Sequence, residues 1–193
     1  MEHISIEGLD GSGKTTIARY IAQLHNYQYV PRALHRMRDT STVGNGFIPL
    51  KFVMPTVFSK SRYGVSEDLY NQTKDKIVTD RYIISCYWKS ILFDNIKEEE
   101  LNLQNKTILQ LFGIPRYTIL LTASYNTLVE RLKRRGTYEQ DIEEMLQYTE
   151  AIKLIDKVCE RLPIPIVRVN TDEKTIMDVA NEVSFIIENG SRE

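Results

Sequence analysis

The segment Gly8-Leu9-Asp10-Gly11-Ser12-Gly13-Lys14-Thr15 decides the fold, because it matches the phosphate-binding pattern GxxxxGK followed by Ser or Thr. It follows Ile4-Ser5-Ile6, which is typical of a buried strand, and it opens a segment that predicts a helix over 14–25. Glycines allow a tight turn that points backbone N–H groups inward at the positive end of a helix, where phosphate is the natural occupant. The alternative is a glycine-rich turn that only caps a helix. Four fixed positions in a strand–loop–helix context favour binding of a nucleoside triphosphate.

We call residues 8–15 the P-loop, and its polar residues have roles in such a site. Lys14 supplies a point charge for the β and γ phosphates, and the Thr15 hydroxyl can bind Mg²⁺. The other predicted contacts to the donor nucleotide are Gly8, Gly11, Ser12 and Gly13 of this segment and Thr16, the residue after it. The segment therefore predicts a triphosphate held together with Mg²⁺.

Composition and charge are those of one ordered domain. The chain has 193 residues, and we predict a single domain over 1–193. Apolar residues make up 42% and charged residues 26%, near the average of globular proteins, which excludes disordered and collagen-like classes. The formal net charge of −1 predicts no general attraction to nucleic acid or to an anionic membrane. Phosphate binding must therefore rest on local charge.

Cysteine usage and the N-terminal segment favour the cytoplasm. Cys86 and Cys159 lie 73 positions apart, which indicates neither a disulfide framework nor a zinc site. The segment 1–7 carries two acidic residues and no long apolar segment, unlike a secretory signal. The uncharged segment 117–129 is shorter than the ~18 apolar residues that cross a bilayer. We therefore expect a cytoplasmic protein.

Strand-like and helix-like segments alternate along the chain, which predicts an α/β domain with a five-stranded parallel sheet flanked by helices. The predicted strands cover 4–6, 27–30, 76–79, 118–121 and 164–169. The predicted helices cover 14–25, 46–72, 82–94, 98–112, 124–135, 138–161 and 173–188. Pro165 lies inside the last strand, and proline removes a hydrogen-bond donor, so we expect this strand at an edge of the sheet.

A second polar motif, Asp80-Arg81-Tyr82, follows the apolar residues Ile77 and Val78. Ligands of α/β sheets bind where parallel strands end, so Asp80 lies in a suitable position for a site. A carboxylate there can bind Mg²⁺ or orient the attacking phosphate, and Arg81 can neutralise charge on the transferred group. Alternatively, Asp80 caps the next helix, since Asp is a favoured N-cap residue.

A basic segment, 130–136, ends one of the predicted helices. Arg131, Arg134 and Arg135 share a helix face, so they can converge on one polyanion. Cations also gather at helix C-termini because of the macrodipole, so a plain solvated helix end is the alternative. The residues that follow could hold a lid, at about 131–144, closed or open. The acidic residues of this segment are Glu139, Asp141, Glu143 and Glu144.

With these motifs the chain resembles the thymidylate kinase branch of the P-loop nucleoside and nucleotide kinases. The segment 7–16 is similar to the family's P-loop, and Thr79-Asp80-Arg81-Tyr82 is similar to its Asp-Arg-Tyr motif. Gly113-Ile114-Pro115, the strand at 118–121 and the segment 128–136 resemble its fourth strand and the helix that leads into its lid. The resemblance is spread along the chain and implies ATP and Mg²⁺ as cofactors and a nucleotide as acceptor.

The resemblance also implies roles for individual residues. Asp10 would approach the acceptor sugar and its phosphate, and Arg32 would bind that phosphate. Because no arginine lies between Asp10 and Lys14, a lid arginine would supply the cation of the transition state. The implied catalytic residues are Asp10, Lys14, Asp80, Arg81, Arg131, Arg134 and Arg135, with Thr15 and Asp80 as metal ligands. The implied base and sugar contacts are Phe58, Arg62, Arg81 and Tyr87 at the acceptor, and Asn170 and Thr171 at adenine.

The chain departs from the family pattern mainly at the acceptor site. Val30-Pro31-Arg32 lacks the expected Glu-Pro-Gly-Gly sequence. After Tyr82 the family tends to read Ser-Ser-x-Ala-Tyr-Gln, whereas Ser85-Cys86-Tyr87-Trp88 stands here, so the glutamine expected near the base is missing. Arg116 and Thr122 replace two aspartates. These departures leave the identity of the acceptor base undetermined. Trp88 either stacks on a base or fills the core.

Three functions fit these motifs. The first is ATP-dependent phosphoryl transfer to a nucleoside monophosphate, dTMP or a related deoxynucleotide. The second is a deoxynucleoside kinase, in which Asp80 or Glu7 would take the proton of a sugar hydroxyl. Arg32, Arg36 and Arg38 favour the monophosphate. The third is a non-catalytic ATP-binding regulator.

Other classes and partners fit less well. A GTPase should carry Asn-Lys-x-Asp to read guanine, but Asn105-Lys106 is followed by Thr107-Ile108 without the aspartate. We expect a nucleotide or nucleoside substrate as the partner, with no nucleic acid and no membrane. A homodimer is compatible with the sequence.

Overall fold

The computed structural model describes residues 2–37 and 46–190, which form eight strands and ten helices. In chain order these are β1 (Glu2–Gly8), α1 (Lys14–Leu24), β2 (Gln28–Val30), β3 (Leu34–Arg36), β4 (Phe47–Pro49), α2 (Leu50–Val53), α3 (Pro55–Phe58), β5 (Tyr63–Ser66), α4 (Glu67–Tyr70), β6 (Lys76–Asp80), α5 (Ile83–Asp94), α6 (Glu98–Phe112), β7 (Tyr117–Thr122), α7 (Tyr125–Arg135), α8 (Tyr138–Leu146), α9 (Tyr148–Arg161), β8 (Ile166–Asn170) and α10 (Ile176–Asn189). None of the helices within these ranges is long and apolar enough to cross a membrane.

Five strands form one parallel sheet in the order β2-β6-β1-β7-β8. Ile6 of β1 pairs with Asp80 of β6 and with Ile119 of β7, so the carboxyl ends of these strands lie close together. Helices cover both faces: along β7, Ile119 and Leu121 pack with α1 and α10, while Leu120 packs with α5 and α9. Strands buried on both faces have continuous apolar sequences. The predicted parallel sheet is confirmed, and β8 lies at an edge as Pro165 indicated.

The predicted helix over 46–72 is wrong. This segment contains three helices of four residues each and the strands β4 and β5, which join β3 in an antiparallel sheet of order β3-β5-β4. Pro49 and Pro55 explain the difference, because proline cannot continue a helix and instead stands before α2 and at the first position of α3. The small sheet forms one wall of the site described below.

The predicted helix over 138–161 is interrupted. Helix α8 ends at Leu146, Gln147 breaks the helical geometry with ψ near 12°, and α9 begins at Tyr148. The break separates α8 from α9. Trp88 is fully buried in the core between α5 and its neighbours, so it fills the core.

Candidate active site

The loop between β1 and α1 has the shape of a phosphate cradle. Gly13 precedes α1 with a left-handed backbone, φ 93° and ψ 8°, that glycine adopts most easily. Among the described residues no side chain caps α1, so the N–H groups of its first turn remain available to an anion. Gly8 lets the loop start against β7, because a Cβ there would collide with the Leu121 carbonyl oxygen. Ser12 is buried inside the loop.

Lys14 opens α1 and is almost fully buried. Its ammonium donates a hydrogen bond to the Leu9 carbonyl oxygen at 2.6 Å and lies 3.6 Å from Asp10 Oδ1. Burial lowers the pKa of Lys14, and the guanidinium of Arg81 lowers it further. The ammonium therefore lies beside the N–H cradle, where it can share a phosphate with the backbone.

A cavity of about 540 Å³, the size of a small-molecule site, opens beside the P-loop. Its walls are the P-loop, the residues after β2 and β6, one face of α5, the antiparallel sheet, and part of the segment 135–144. Predicted site residues that line it are Asp10, Gly11, Gly13, Lys14, Thr15, Thr16, Arg32, Asp80, Arg81 and Arg135. Folding thus brings the P-loop and the Asp80-Arg81 motif to one space.

Thr15 and Asp80 meet in this cavity. The Thr15 hydroxyl donates to Asp80 Oδ2 at 2.6 Å, and the Tyr29 hydroxyl donates to the same oxygen at 3.3 Å. Asp80 Oδ1 is buried and has no hydrogen-bond partner among the described residues. An unpartnered carboxylate oxygen beside a hydroxyl suits Mg²⁺, which prefers oxygen ligands. Asp80 does not cap α5, because that helix begins only at Ile83.

Arg81 reaches back across the cavity to the P-loop and forms a tight ion pair with Asp10. Burial lowers the pKa of Arg81, but the carboxylates of Asp10 and Glu144 raise it more. Arg81 and Arg32 both have left-handed backbones, with φ 68° and 47°, that residues other than glycine adopt rarely. They follow the neighbouring strands β6 and β2. Strained residues of this kind gather at functional sites, which supports a role for both arginines.

Lys89 and Glu144 complete the network around Asp10. Lys89 Nζ lies 2.6 Å from Glu144 Oε2 and 3.4 Å from Asp10 Oδ2, and the Asp10 N–H donates to Glu144 Oε1 at 2.7 Å. Burial raises the pKa of Glu144, while Lys89 lowers it. Burial also raises the pKa of Asp10, but Arg81 and Lys89 hold it well below its usual range. The sequence motifs did not identify Lys89, and they placed Glu144 only in an acidic lid segment.

The three arginines of α7 point to different places. Arg135 lines the cavity and pairs with Asp141 at 3.0 Å. Arg131 donates to the hydroxyl of Thr171 at 2.9 Å and to its carbonyl oxygen at 2.7 Å, so it ties α7 to the end of β8. Arg134 is exposed and outside the cavity lining. The three do not converge on one point in this structure, because Arg131 lies one turn earlier and is held by a neighbouring strand.

The predicted base contacts lie elsewhere. Phe58 and Tyr87 are buried in the core, and the Tyr87 hydroxyl donates to Glu98 Oε1 at 3.1 Å. Arg62 is exposed, with its Nε 3.9 Å from Asp94 Oδ1. The structure does not bring these three to the cavity, because the aromatic side chains are taken up by packing and Arg62 faces solvent.

Asn170 and Thr171 lie at the end of β8 and do not line the cavity. Asn170 Oδ1 accepts a hydrogen bond from the Asp172 N–H at 2.6 Å, and Thr171 is buried. Thr171 is connected to the P-loop through Arg131, whose guanidinium lies 3.5 Å from the Gly11 carbonyl oxygen. The structure therefore places Asn170 and Thr171 outside the cavity, and the Arg131 side chain lies between Thr171 and the P-loop.

The half of the cavity that lies away from the P-loop is formed by residues that belong to none of the sequence motifs. Ser85, Lys89 and Phe93 are spaced by four residues, so they share the face of α5 that lines the cavity. The antiparallel sheet contributes Leu34, His35, Arg36 and Tyr63. The spacing along α5 was a usable signal, whereas strands of three or four residues carry too little periodicity to reveal the sheet.

Two of the three arginines expected at an acceptor phosphate line this half. Arg36 donates from Nε to the buried Asp94 carboxylate at 2.8 Å, so its charge is already paired. Arg32 is exposed at the cavity and makes no hydrogen bond or ion pair with the residues in 2–37 and 46–190. Arg38 lies outside the described residues. Of the two arginines that the structure describes, Arg32 is thus the one whose charge is available to an acceptor phosphate.

Comparison with known proteins identifies the family. A match to the family described as AAA domain covers residues 4–152, most of the chain. The chain belongs to the AAA domain family. This AAA domain is 29% identical over 191 residues to a probable thymidylate kinase from Methanococcus vannielii, which covers 93% of this chain and 92% of that protein. It is 28% identical over 151 residues to a probable thymidylate kinase from Archaeoglobus fulgidus, with 69% and 70% covered.

Solved structures share the fold of this AAA domain. Thymidylate kinase from Candida albicans matches with a TM-score of 0.64 at 22% identity, covering 97% of this chain and 91% of the other. Deoxyadenosine kinase from M. mycoides with bound dATP matches with a TM-score of 0.61 at 20% identity, covering 97% and 100%. The resemblance to thymidylate kinases that the P-loop and the Asp80-Arg81-Tyr82 motif predicted is confirmed.

Proposed function

We propose that this AAA domain protein transfers the γ-phosphoryl group of ATP to a nucleoside monophosphate, with dTMP or a related deoxynucleotide as the acceptor. The observation that carries the proposal is a single cavity. On one side lies a P-loop of the kind that binds nucleoside triphosphates, and further cations line the cavity beyond it. The cations beyond the P-loop are Arg32, Arg36, Arg81, Lys89 and Arg135. Two phosphate-bearing substrates need cations from two sides. The probable thymidylate kinases among the relatives make dTMP the first acceptor to test.

Positioning and charge neutralisation supply the catalysis, because phosphoryl transfer needs little covalent chemistry from a protein. The N–H groups at the start of α1 and the Lys14 ammonium hold the β and γ phosphates. Arg81 neutralises charge on the transferred group. Its ion pair with Asp10 holds it beside the P-loop. Arg135 reaches the same space from α7 as the lid cation. Asp10 orients the acceptor sugar.

Thr15 and Asp80 would hold Mg²⁺, which neutralises charge on the β and γ phosphates when it is bound. The Tyr29 hydroxyl holds Asp80 in the orientation seen here. The segment 131–144 acts as a lid within a single domain 1–193, and the contact from Glu144 to the Asp10 N–H is where it meets the P-loop. A cytoplasmic location belongs to the same proposal.

A deoxynucleoside kinase is the second candidate, since solved deoxyadenosine kinases share the fold. It needs a base for a neutral sugar hydroxyl. Glu7 is unsuitable, because it is fully buried and its oxygens accept hydrogen bonds from the N–H groups of Tyr82, Ile84 and Ser85. Asp80 Oδ1 is the remaining candidate base. Arg32, which has no hydrogen-bond or ion-pair partner within 2–37 and 46–190, favours a phosphate-bearing acceptor.

The test is ADP release from Mg·ATP with a panel of acceptors. The panel contains dTMP, dCMP, dAMP, dGMP and UMP together with the matching nucleosides. We expect release with dTMP or another deoxynucleoside monophosphate to exceed release with any nucleoside at least about tenfold, as one lost charge-assisted bond allows. Faster turnover of a nucleoside would establish the second candidate. ATP binding without turnover of any acceptor would indicate a regulator.

A further inference from the structure

Lys89 stands at the middle of the cavity wall formed by α5. It lies one turn after Ser85 and one turn before Phe93, and all three line the cavity. Its side chain is only 15% exposed, so its charge requires an anionic partner or a polar one. Asp10 is a distant partner at 3.4 Å and is already engaged by Arg81. Lys89 therefore depends on a second anion.

Glu144 is that second anion, and it comes from α8, a different part of the chain. One carboxylate oxygen lies 2.6 Å from Lys89 Nζ, and the other accepts the Asp10 N–H at 2.7 Å. An ammonium and a P-loop N–H are both donors that commonly hold phosphate oxygens in proteins. The Glu144 carboxylate thus occupies a position with the chemistry of a phosphate site, between the P-loop and the wall of α5.

The charges around this position balance with Glu144 in place. Three cations face three carboxylates there: Lys14, Arg81 and Lys89, with Asp10, Asp80 and Glu144. A phosphate dianion brought to Lys89 would lie beside the Glu144 carboxylate. Like charges repel strongly in a space shielded from water, so the phosphate and Glu144 exclude each other there.

We propose that Lys89 binds the phosphate of the acceptor, and that this phosphate replaces the Glu144 carboxylate between Lys89 and the Asp10 N–H. The inference rests on the proposed function and adds to it the residue that selects a monophosphate over a nucleoside. A neutral nucleoside cannot replace Glu144, because Lys89 would then have only the Asp10 carboxylate, which it shares with Arg81, as a counter-charge. Arg32 alone discriminates less, since it is exposed and screened by water.

Lys89→Met removes the charge and keeps the length of the side chain. With dTMP as acceptor, we expect the KM for dTMP to rise about tenfold to a hundredfold and the KM for ATP to change less than about threefold. Lys89→Arg, which keeps the charge, should recover most of this loss. The matched control is Lys153→Met, because Lys153 pairs with Glu150 at 3.3 Å on the exposed surface of α9. An unchanged KM for dTMP, or an equal rise of both KM values, overturns the inference.

Glu144→Gln tests the exchange by binding alone. The variant keeps the shape and the acceptor oxygen of the side chain but removes the charge that competes with phosphate. We expect dTMP, titrated by calorimetry without ATP, to bind about three- to tenfold more tightly, while thymidine binds as before. Glu150→Gln is the control. Equal or weaker binding of dTMP overturns the exchange, and this measurement decides the matter if thermal unfolding shows that Lys89→Met does not fold.

The two proposals fail in different ways. If the parent protein phosphorylates dTMP and Lys89→Met does so with the same KM, the role of Lys89 is refuted and the proposed function stands. If the parent releases no ADP with any monophosphate, the proposed function is refuted and the inference falls with it.

Discussion

The two halves of the cavity are assembled in different ways. The donor half consists mainly of residues 10–16, one segment whose geometry follows from a strand, a tight turn and a helix. The acceptor half joins Arg32, Lys89 and Glu144 from three segments, and ion pairs hold part of it together. A local motif keeps its geometry wherever its strand and helix form. A dispersed wall depends on how the helices and the small sheet pack.

This difference explains where the chain departs from the thymidylate kinase pattern. The P-loop resembles that pattern closely, because backbone N–H groups and glycines with positive φ leave few choices of residue. Two of the departures, around Pro31 and over 85–88, lie beside the acceptor half, whereas Arg116 and Thr122 lie outside the cavity lining. Side chains form that half, and a side chain can change without altering the sheet. The donor half should therefore tolerate substitution least, and the acceptor half should set specificity.

Lys14→Ala tests the donor half, where we expect the largest effect. Losing the ammonium beside the phosphate cradle should lower kcat/KM about a hundredfold to a thousandfold. The lost hydrogen bond to Leu9 should also reduce the free energy of unfolding by about 1 kcal/mol. ADP release and chemical unfolding measure the two effects, with Lys153→Ala as the control. Turnover within about tenfold of the parent would contradict a local, intolerant donor half.

Arg135→Gln tests whether the lid joins the two halves. Arg135 lines the cavity, so we expect kcat to fall about tenfold to a hundredfold while the ATP dissociation constant changes little. Arg134→Gln should reduce kcat less, because Arg134 is outside the cavity. Lys133→Gln, an exposed cation of the same helix, is the control. A larger effect at Arg134 than at Arg135 would show that the lid takes a different position during turnover.

Arg32→Ala tests the acceptor half. The KM for the monophosphate should rise about tenfold, with a smaller effect on the KM for ATP, because an exposed cation contributes less than a buried one. Steady-state kinetics with each substrate varied in turn measures the split. Arg116→Ala is a suitable control, since Arg116 pairs with Glu2 at the opposite end of the sheet. Equal changes for both substrates would mean that the halves are not separate.

The smallest expected effect is that of two histidines, His3 and His35, on the pH dependence of stability. Burial lowers the pKa of His3 in β1 to about 3 and that of His35 in β3 to about 4. Between these values and about pH 6.5 the unfolded chain binds more protons than the folded protein. The free energy of unfolding therefore rises with pH, and this stability is lost as pH falls. Each histidine contributes at most about 1.4 kcal/mol per pH unit, and the partly exposed His35 less.

Urea unfolding of His3→Gln and His35→Gln at several pH values measures these contributions. Each variant should show a shallower rise in stability from pH 4 to 6.5 than the parent, and His3→Gln the shallower of the two. Lys133→Gln serves as a control, since Lys133 is an exposed cation of α7. Identical slopes in all four proteins would contradict burial of the neutral rings.

Sequence patterns predicted one half of the site better than the other. The motifs predict that the P-loop, Asp80 and Arg81 lie together, and they do, because each lies at the carboxyl end of a strand of the same parallel sheet. The family resemblance implies that Phe58 and Tyr87 contact a base, but both pack in the core. An aromatic residue suits either place, and only the surrounding elements decide between them. The predicted helix over 46–72 is wrong because short strands next to prolines carry little periodicity.

The sequence by itself determined the parallel sheet and the phosphate cradle, since both depend on local choices: β-branched strands, glycines that permit a turn, and a lysine that opens a helix. Only the tertiary structure decided the acceptor wall. The Asp10 N–H and the Glu144 carboxylate are 134 positions apart in the sequence. No local sequence pattern around Lys89 or Glu144 predicts that the two form an ion pair. Their pairing arises because α5 and α8 are packed against the same P-loop, where a buried charge must find an opposite one.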